Sequence, residues 1–174
     1  MPSQAEDPRL TPKFVEAVEY AYEKHGTQTR KASEVPYLGH LLSVAGLVIE
    51  NGGTEKQVIA ALLHDAAEDQ GGKETLAEIG QKFGADVASI VAECSDTLET
   101  PKPPWRGRKE AYIRHLPEAS DDAILVSLAD KLDNARATLR DLRGQGNTVW
   151  RRFSVQDPQL HLWYYRSLLG VFSQ

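Results

Sequence analysis

Ala61-Leu62-Leu63-His64-Asp65-Ala66-Ala67-Glu68-Asp69 carries apolar side chains straight up to a histidine–aspartate pair and sets two more carboxylates one helical turn later. Such a run reads as a buried helix that delivers ionisable groups into a protected pocket. Desolvating so many of them is costly unless positive charge, most simply a metal ion, sits among them. Two other segments supply partners: His40 before it, and Leu128-Ala129-Asp130-Lys131-Leu132-Asp133-Asn134 after it.

Outward from this stretch the apolar spacing is helical almost throughout. Phe14, Val15, Val18, Ala21 and Tyr22 predict a first helix, entered through Thr11 as N-cap and Pro12 at its first position. A polar loop from His25 to Pro36 precedes a second helix over 39–50, which Asn51-Gly52-Gly53 stops. Thr54 caps a third, whose apolar residues lead to His64 and which Gly71-Gly72 closes. Thr75 opens a short helix around Leu76, Ile79 and Phe83, and Gly84 introduces one through Val87, Ile90, Val91 and Cys94. Pro101, Pro103 and Pro104 make 100–104 an exposed loop. Helices resume over 107–116 and 121–142, and the last follows Asp157-Pro158 with Leu160, Leu162, Trp163, Tyr164, Leu168 and Leu169. No alternating β-branched run is present. The expectation is an all-α fold, a compact helical bundle forming one domain over residues 1–174.

With 174 residues the chain is long enough to bury a core without staples. A net charge of −5 and a pI near 5.5 exclude a nucleic-acid-binding surface, though not a small anionic substrate. Cys94 is the one cysteine, so no intrachain disulfide forms and a reducing compartment is expected. The N-terminus lacks an apolar signal core, and no segment approaches the roughly 20 apolar residues of a membrane span. The expectation is a soluble cytoplasmic protein.

His64 and Asp65 are neighbours, so on a helix they diverge by about 100° and share an ion only in a groove between helices. His40 and Asp130, from two other helices, complete a set of two imidazoles and two carboxylates. Nitrogen and oxygen donors without thiolate suit Mn²⁺, Fe²⁺ or Mg²⁺ and admit Zn²⁺. Glu68 follows His64 by four residues, as Asp69 follows Asp65, so both project toward the ligands' side. One can accept a proton from an activated water and the other can protonate a leaving group, in an order that spacing leaves open. Elsewhere the plainer readings lead. Asp96 and Thr97 cap, Cys94 packs, and Trp163-Tyr164-Tyr165 belongs to the core. Trp105-Arg106-Gly107-Arg108-Lys109 is a cationic flap or a solvated helix start. His25, His115 and His161 are surface or structural, and Lys109 and Lys131 are either cations for an anionic substrate or ordinary surface lysines.

These segments resemble the HD superfamily of metal-dependent phosphohydrolases, and within it the hydrolase domain of the Rel/Spo alarmone enzymes and their small stand-alone homologues. The resemblance runs from about Phe14 to the final helix. It is carried by Arg30-Lys31 and the loop leading to His40, by Ala61 through Asp69, by Phe83-Gly84, and by 128–134. It implies an HD-type bundle in which His40, His64, Asp65 and Asp130 bind a divalent metal, typically Mn²⁺. It makes Glu68 and Asp69 the catalytic pair, puts Arg30 and Lys31 on a nucleotide base, and sets Asn134 on the nucleoside; Lys131 is the further substrate-binding candidate, as a cation for an anionic substrate. The implied reaction removes pyrophosphate from the 3′ position of ppGpp or pppGpp, giving GDP or GTP. The alternatives are an HD phosphatase of another nucleotide or small phosphate ester, and a non-catalytic nucleotide sensor, against which the intact Glu68-Asp69 pair argues.

The chain also departs from that pattern. In the alarmone branch a late helix sets an arginine one turn before a tyrosine to grip phosphates. Here Leu160 and His161 stand four residues before Tyr164 and Tyr165, leaving Arg151, Arg152 and Arg166 as substitutes. Asp133 sets an extra negative charge beside Asn134.

Overall fold

The computed structural model describes residues 10–31 and 33–174, so the N-terminal stretch and Ala32 of the predicted loop lie outside the described residues. Helix α1, Pro12–His25, begins where the Thr11 hydroxyl accepts from the Lys13 N–H, and it buries Ala17, Tyr20, Ala21 and His25 along one stripe. The loop behind it is pinned by a single bridge between Thr29 and Pro36; among the described residues no strand forms. Helix α2, Leu38–Glu50, contains no Asp, Glu, Lys or Arg before its last residue and buries His40, Leu41, Val44, Ala45 and Val48.

Helix α3, Glu55–Leu63, is the centre of the molecule. Thr54 and Gln57 cap it reciprocally, and every residue from Gln57 to Leu63 is buried against α1, α2 or the later helices. A helix apolar on all sides belongs inside the core, and each fully buried leucine there contributes about 1.5–3 kcal/mol. The expected single helix through to Gly71 is not what forms. α3 ends at Leu63, Asp65 adopts φ −97° and ψ −6°, and a separate short helix α4, Ala66–Asp69, follows. The break occurs where the chain meets the polar cluster, and the apolar period alone carries no sign of it.

Helix α5, Gly72–Phe83, also begins earlier than expected: Thr75 does not open it but donates its hydroxyl to the Gln70 carbonyl. Gly71, at φ +127°, makes that approach, and an added Cβ there would lie 2.5 Å from Thr75 Oγ1. Helix α6, Ala85–Cys94, packs on α3, and the proline loop leads into α7, Trp105–His115. Helix α8, Asp121–Gln145, is capped by Ser120 with Asp121 and Asp122 in its first turn, where the helix dipole favours them. A 3₁₀ segment, Gly146–Arg152, and helix α9, Pro158–Phe172, complete the bundle.

Two apolar clusters result. The larger joins α1 to α6 and the first half of α8; the smaller joins Tyr112 of α7, Leu116 just after it, and Tyr164 and Leu168 of α9. The polar residues of the site lie in the cleft between them. Among the described residues no helix is long and apolar enough to cross a membrane.

Candidate metal centre and active-site cleft

His64 caps the end of α3, and its Nδ1–H donates to the Ala61 carbonyl one turn back at 2.8 Å. That bond directs Nε2 away from the helix. Across from it on α2, His40 has Nδ1 2.7 Å from Asp133 Oδ2, and its Nε2 points the same way. Both Nε2 atoms are buried and have no hydrogen-bond partner. Asp65, in the turn after His64, brings Oδ2 to 3.0 Å from His64 Nε2 and 3.7 Å from His40 Nε2, and the Tyr37 hydroxyl donates to that same oxygen. His40, His64 and Asp65 each offer one ligand atom within 4.8 Å of the others. Asp130 of α8 falls outside that trio although its Oδ1 lies 3.3 and 3.5 Å from the two Nε2 atoms. Its oxygens are taken by Lys131 and by Asn134 Nδ2. The four residues expected to converge therefore do lie together, with Asp130 at the edge.

The field among them is strongly negative. Burial disfavours charge on either imidazole, yet the Asp130 and Asp133 carboxylates raise His40 above the usual range, and Asp65 and Asp130 raise His64 well above it. Burial would likewise raise Asp65 and Asp130. The imidazoles and, for Asp130, the Lys131 ammonium nevertheless hold both carboxyls low. Two sheltered imidazole lone pairs facing carboxylates fit a divalent cation of the first transition row or Mg²⁺. A thiolate centre does not fit, because Cys94 turns its Sγ toward the Ala123 carbonyl and the Ser127 hydroxyl.

Glu68 and Asp69 lie in α4, separate from α3 but joined to Asp65 through the helical bond from Asp69 N–H to the Asp65 carbonyl, and all three line one cleft. Glu68 and Asp69 converge on Lys102 of the proline loop, whose Nζ stands 2.9 Å from Glu68 Oε1 and 2.9 Å from Asp69 Oδ1. Glu68 Oε2 also accepts from the Asp96 backbone N–H, and Asp69 Oδ2 from the Gln28 amide. Both carboxylates line a cleft of about 470 Å³ together with Asp65 and Asp130.

Arg30, Lys31, Lys131 and Asn134 line the same cleft. Arg30 is not free: its guanidinium pairs with Asp133 and reaches Asn134 Oδ1. Lys31 is exposed at the rim. Lys131 and Lys109 are not surface lysines. Each side chain is only 17 % exposed, pairs with Asp130 or Asp96, and lies 4.9 Å from the ring of Tyr112 or Tyr164. Asp96, expected to cap, instead holds Arg108 and Lys109. His25 and His161 are buried within the structure and His115 is exposed, as expected, although His161, Tyr164 and Tyr165 also line the cleft. Of the three candidate arginines, Arg151 and Arg166 are exposed and away from the cleft. Arg152 lines it, with Nη1 donating to Asp141 and a buried Nε that has no partner.

Sequence reasoning missed Tyr37, Lys102 and the contacts of Asp133. Tyr37 and Lys102 come from loops where nothing periodic marks a buried role. Asp133 was visible only as an odd charge.

Comparison with known proteins accords with this geometry. The HD domain family matches residues 17–155. A Xenopus tropicalis protein named guanosine-3′,5′-bis(diphosphate) 3′-pyrophosphohydrolase MESH1 is 42% identical over 147 residues, covering 83% of this chain and 77% of its own length. The Homo sapiens protein of the same name is 38% identical over the same shares. A solved structure described as a metazoan ortholog of SpoT that hydrolyses ppGpp superposes with a TM-score of 0.68 at 29% identity, covering 95% of this chain and 97% of the other. The chain belongs to the HD-domain family, among the relatives of these 3′-pyrophosphohydrolases.

Proposed function

We propose that this chain is a metal-dependent hydrolase that removes pyrophosphate from the 3′ position of ppGpp or pppGpp, acting as a single domain in the cytoplasm with Mn²⁺ as its ion. The observation that carries the reading is the pair of buried, unpartnered Nε2 atoms of His40 and His64 facing carboxylates at the floor of a cleft whose wall is cationic. The names of the relatives supply the substrate. His40, His64, Asp65 and Asp130 hold the ion. When bound, it supplies Lewis acidity for a phosphate oxygen and neutralises developing charge.

The chain's own groups do the rest. Glu68, the more sheltered of its pair, accepts a proton from the attacking water, and Asp69 shares Lys102 with it. The bond between phosphorus and the ribose 3′ oxygen breaks. Water's oxygen leaves with pyrophosphate, and the ribose oxygen takes up a proton. Lys131 and Asn134 hold the Asp130 carboxylate in place beside the nucleoside position. Arg30 and Lys31 border the base, and Arg152, with its unpartnered Nε, grips the distal phosphates in place of the missing late-helix arginine.

The test is incubation with ppGpp and Mn²⁺, with products identified by ³¹P NMR and anion exchange. GDP and pyrophosphate are expected. A second reading, a phosphatase of another nucleotide, is favoured by one observation: Asp133 holds the Arg30 guanidinium that base stacking requires. Release of orthophosphate alone, with faster turnover of another nucleotide, would establish it. Bound but unchanged nucleotide would mark a sensor.

A further inference from the structure

His40 Nδ1 faces two groups that make opposite demands on it. Asp133 Oδ2 lies 2.7 Å away and Arg30 Nη2 3.1 Å away, and Arg30 and Asp133 also pair with each other. A guanidinium only donates and an ionised carboxylate only accepts. A bond from Arg30 would need a lone pair on Nδ1; the contact to Asp133 needs a proton there. The carboxylate is the nearer, and two lone pairs opposed at that separation would repel. Nδ1 therefore carries the hydrogen, and the lone pair of the neutral ring resides on Nε2, the atom buried without a partner 3.7 Å from Asp65 Oδ2.

His64 reaches the same tautomer by a different route, through the Ala61 carbonyl of its own helix. That bond is local and belongs to the backbone. The one on His40 spans 93 residues and depends on a single side chain. We infer that Asp133 is a positioning residue of the metal centre, holding the Nδ1 proton of His40 so that Nε2 faces His64 and Asp65, while Arg30 anchors the Asp133 carboxylate from the other side. The inference rests on the reading of His40 as a metal ligand. Partners of this kind are worth about 10–100-fold in metal affinity.

The test uses the full chain freed of metal by chelation. Mn²⁺ binding is followed by calorimetry, and the visible bands of the Co²⁺-loaded protein report the donor set. Asp133→Asn is expected to weaken Mn²⁺ binding about 10–100-fold and to shift the Co²⁺ bands, while Asp133→Glu recovers most of the affinity. His40→Ala is expected to weaken binding further than either. At saturating metal, kcat of Asp133→Asn falls far less than its affinity for the ion. Wild-type affinity and an unchanged Co²⁺ spectrum in Asp133→Asn, alongside a loss in His40→Ala, overturn the positioning role and leave the metal site standing. His40→Ala binding as tightly as wild type overturns the metal-site reading and this inference with it.

Discussion

Beneath the cleft two buried imidazoles keep their Nε2 atoms unpartnered among carboxylates, whereas along its wall most cations are already matched with acids. Lys102 bridges Glu68 and Asp69, Asp96 holds Arg108 and Lys109, and Asp130 holds Lys131. The floor is set in the larger core, where His40 and His64 are 1 % and 2 % exposed, so packing restricts how far either ring can move. The wall is made of ion pairs, which on the proposed function a phosphate would enter by exchange. Burial decides which pair yields. Lys102 is 38 % exposed, and ion pairs that wet contribute little, about 0–1 kcal/mol. Asp96 is 7 % exposed, and removing one partner of such a pair costs about 3–5 kcal/mol. On that reading Lys102 is the cation expected to move to a substrate, while Arg108 and Lys109 are expected to keep their acid.

Breaking the floor should do the most damage. Asp65→Ala is expected to lose bound metal and turnover together, measured by metal analysis of the purified protein beside the rate of ppGpp hydrolysis. Metal retained at full stoichiometry with normal rates would remove Asp65 from the centre. Glu68→Gln separates proton transfer from metal binding. It should keep its metal while kcat falls about 10²–10⁴-fold, the usual worth of a positioned proton acceptor.

On the wall, Arg152→Gln should raise KM by roughly tenfold to a hundredfold, the range of a charge-assisted hydrogen bond to phosphate, with kcat and metal content little altered. An unchanged KM would shift the phosphate grip to another residue. The smallest effect concerns Cys94, at the boundary between the two regions. Burial pushes its thiol up to about 11, so at pH 8 only about one thiol in a thousand is ionised. Because the thiolate is the reactive form, alkylation by iodoacetamide should be slow at pH 8. It should quicken about tenfold for each pH unit toward 11, and fast labelling at neutral pH would contradict that burial.

Much of the fold was legible because helix signals are local. Thr11-Pro12, the Thr54 cap, Gly84 and Asp157-Pro158 each mark an end that forms within a few residues of where it was expected. The break after Leu63 was not legible, since His64 and Asp65 interrupt no apolar period and only the polar cluster gives the chain a reason to turn. Grouping His40, His64, Asp65 and Asp130 was readable from residue type and resemblance. The lysine between Glu68 and Asp69 was not, because a proline loop announces exposure and says nothing about which carboxylates lie within its reach.

By itself the sequence determined an all-helical chain with ligand-type residues set among apolar helical runs, because apolar period and capping act over a few neighbouring residues. Only the tertiary structure decided which nitrogen of each histidine faces the centre and which acid holds which cation. For His40 and Lys102 those choices are made by partners 93 and 34 residues away, brought within 4 Å by packing that no local pattern encodes.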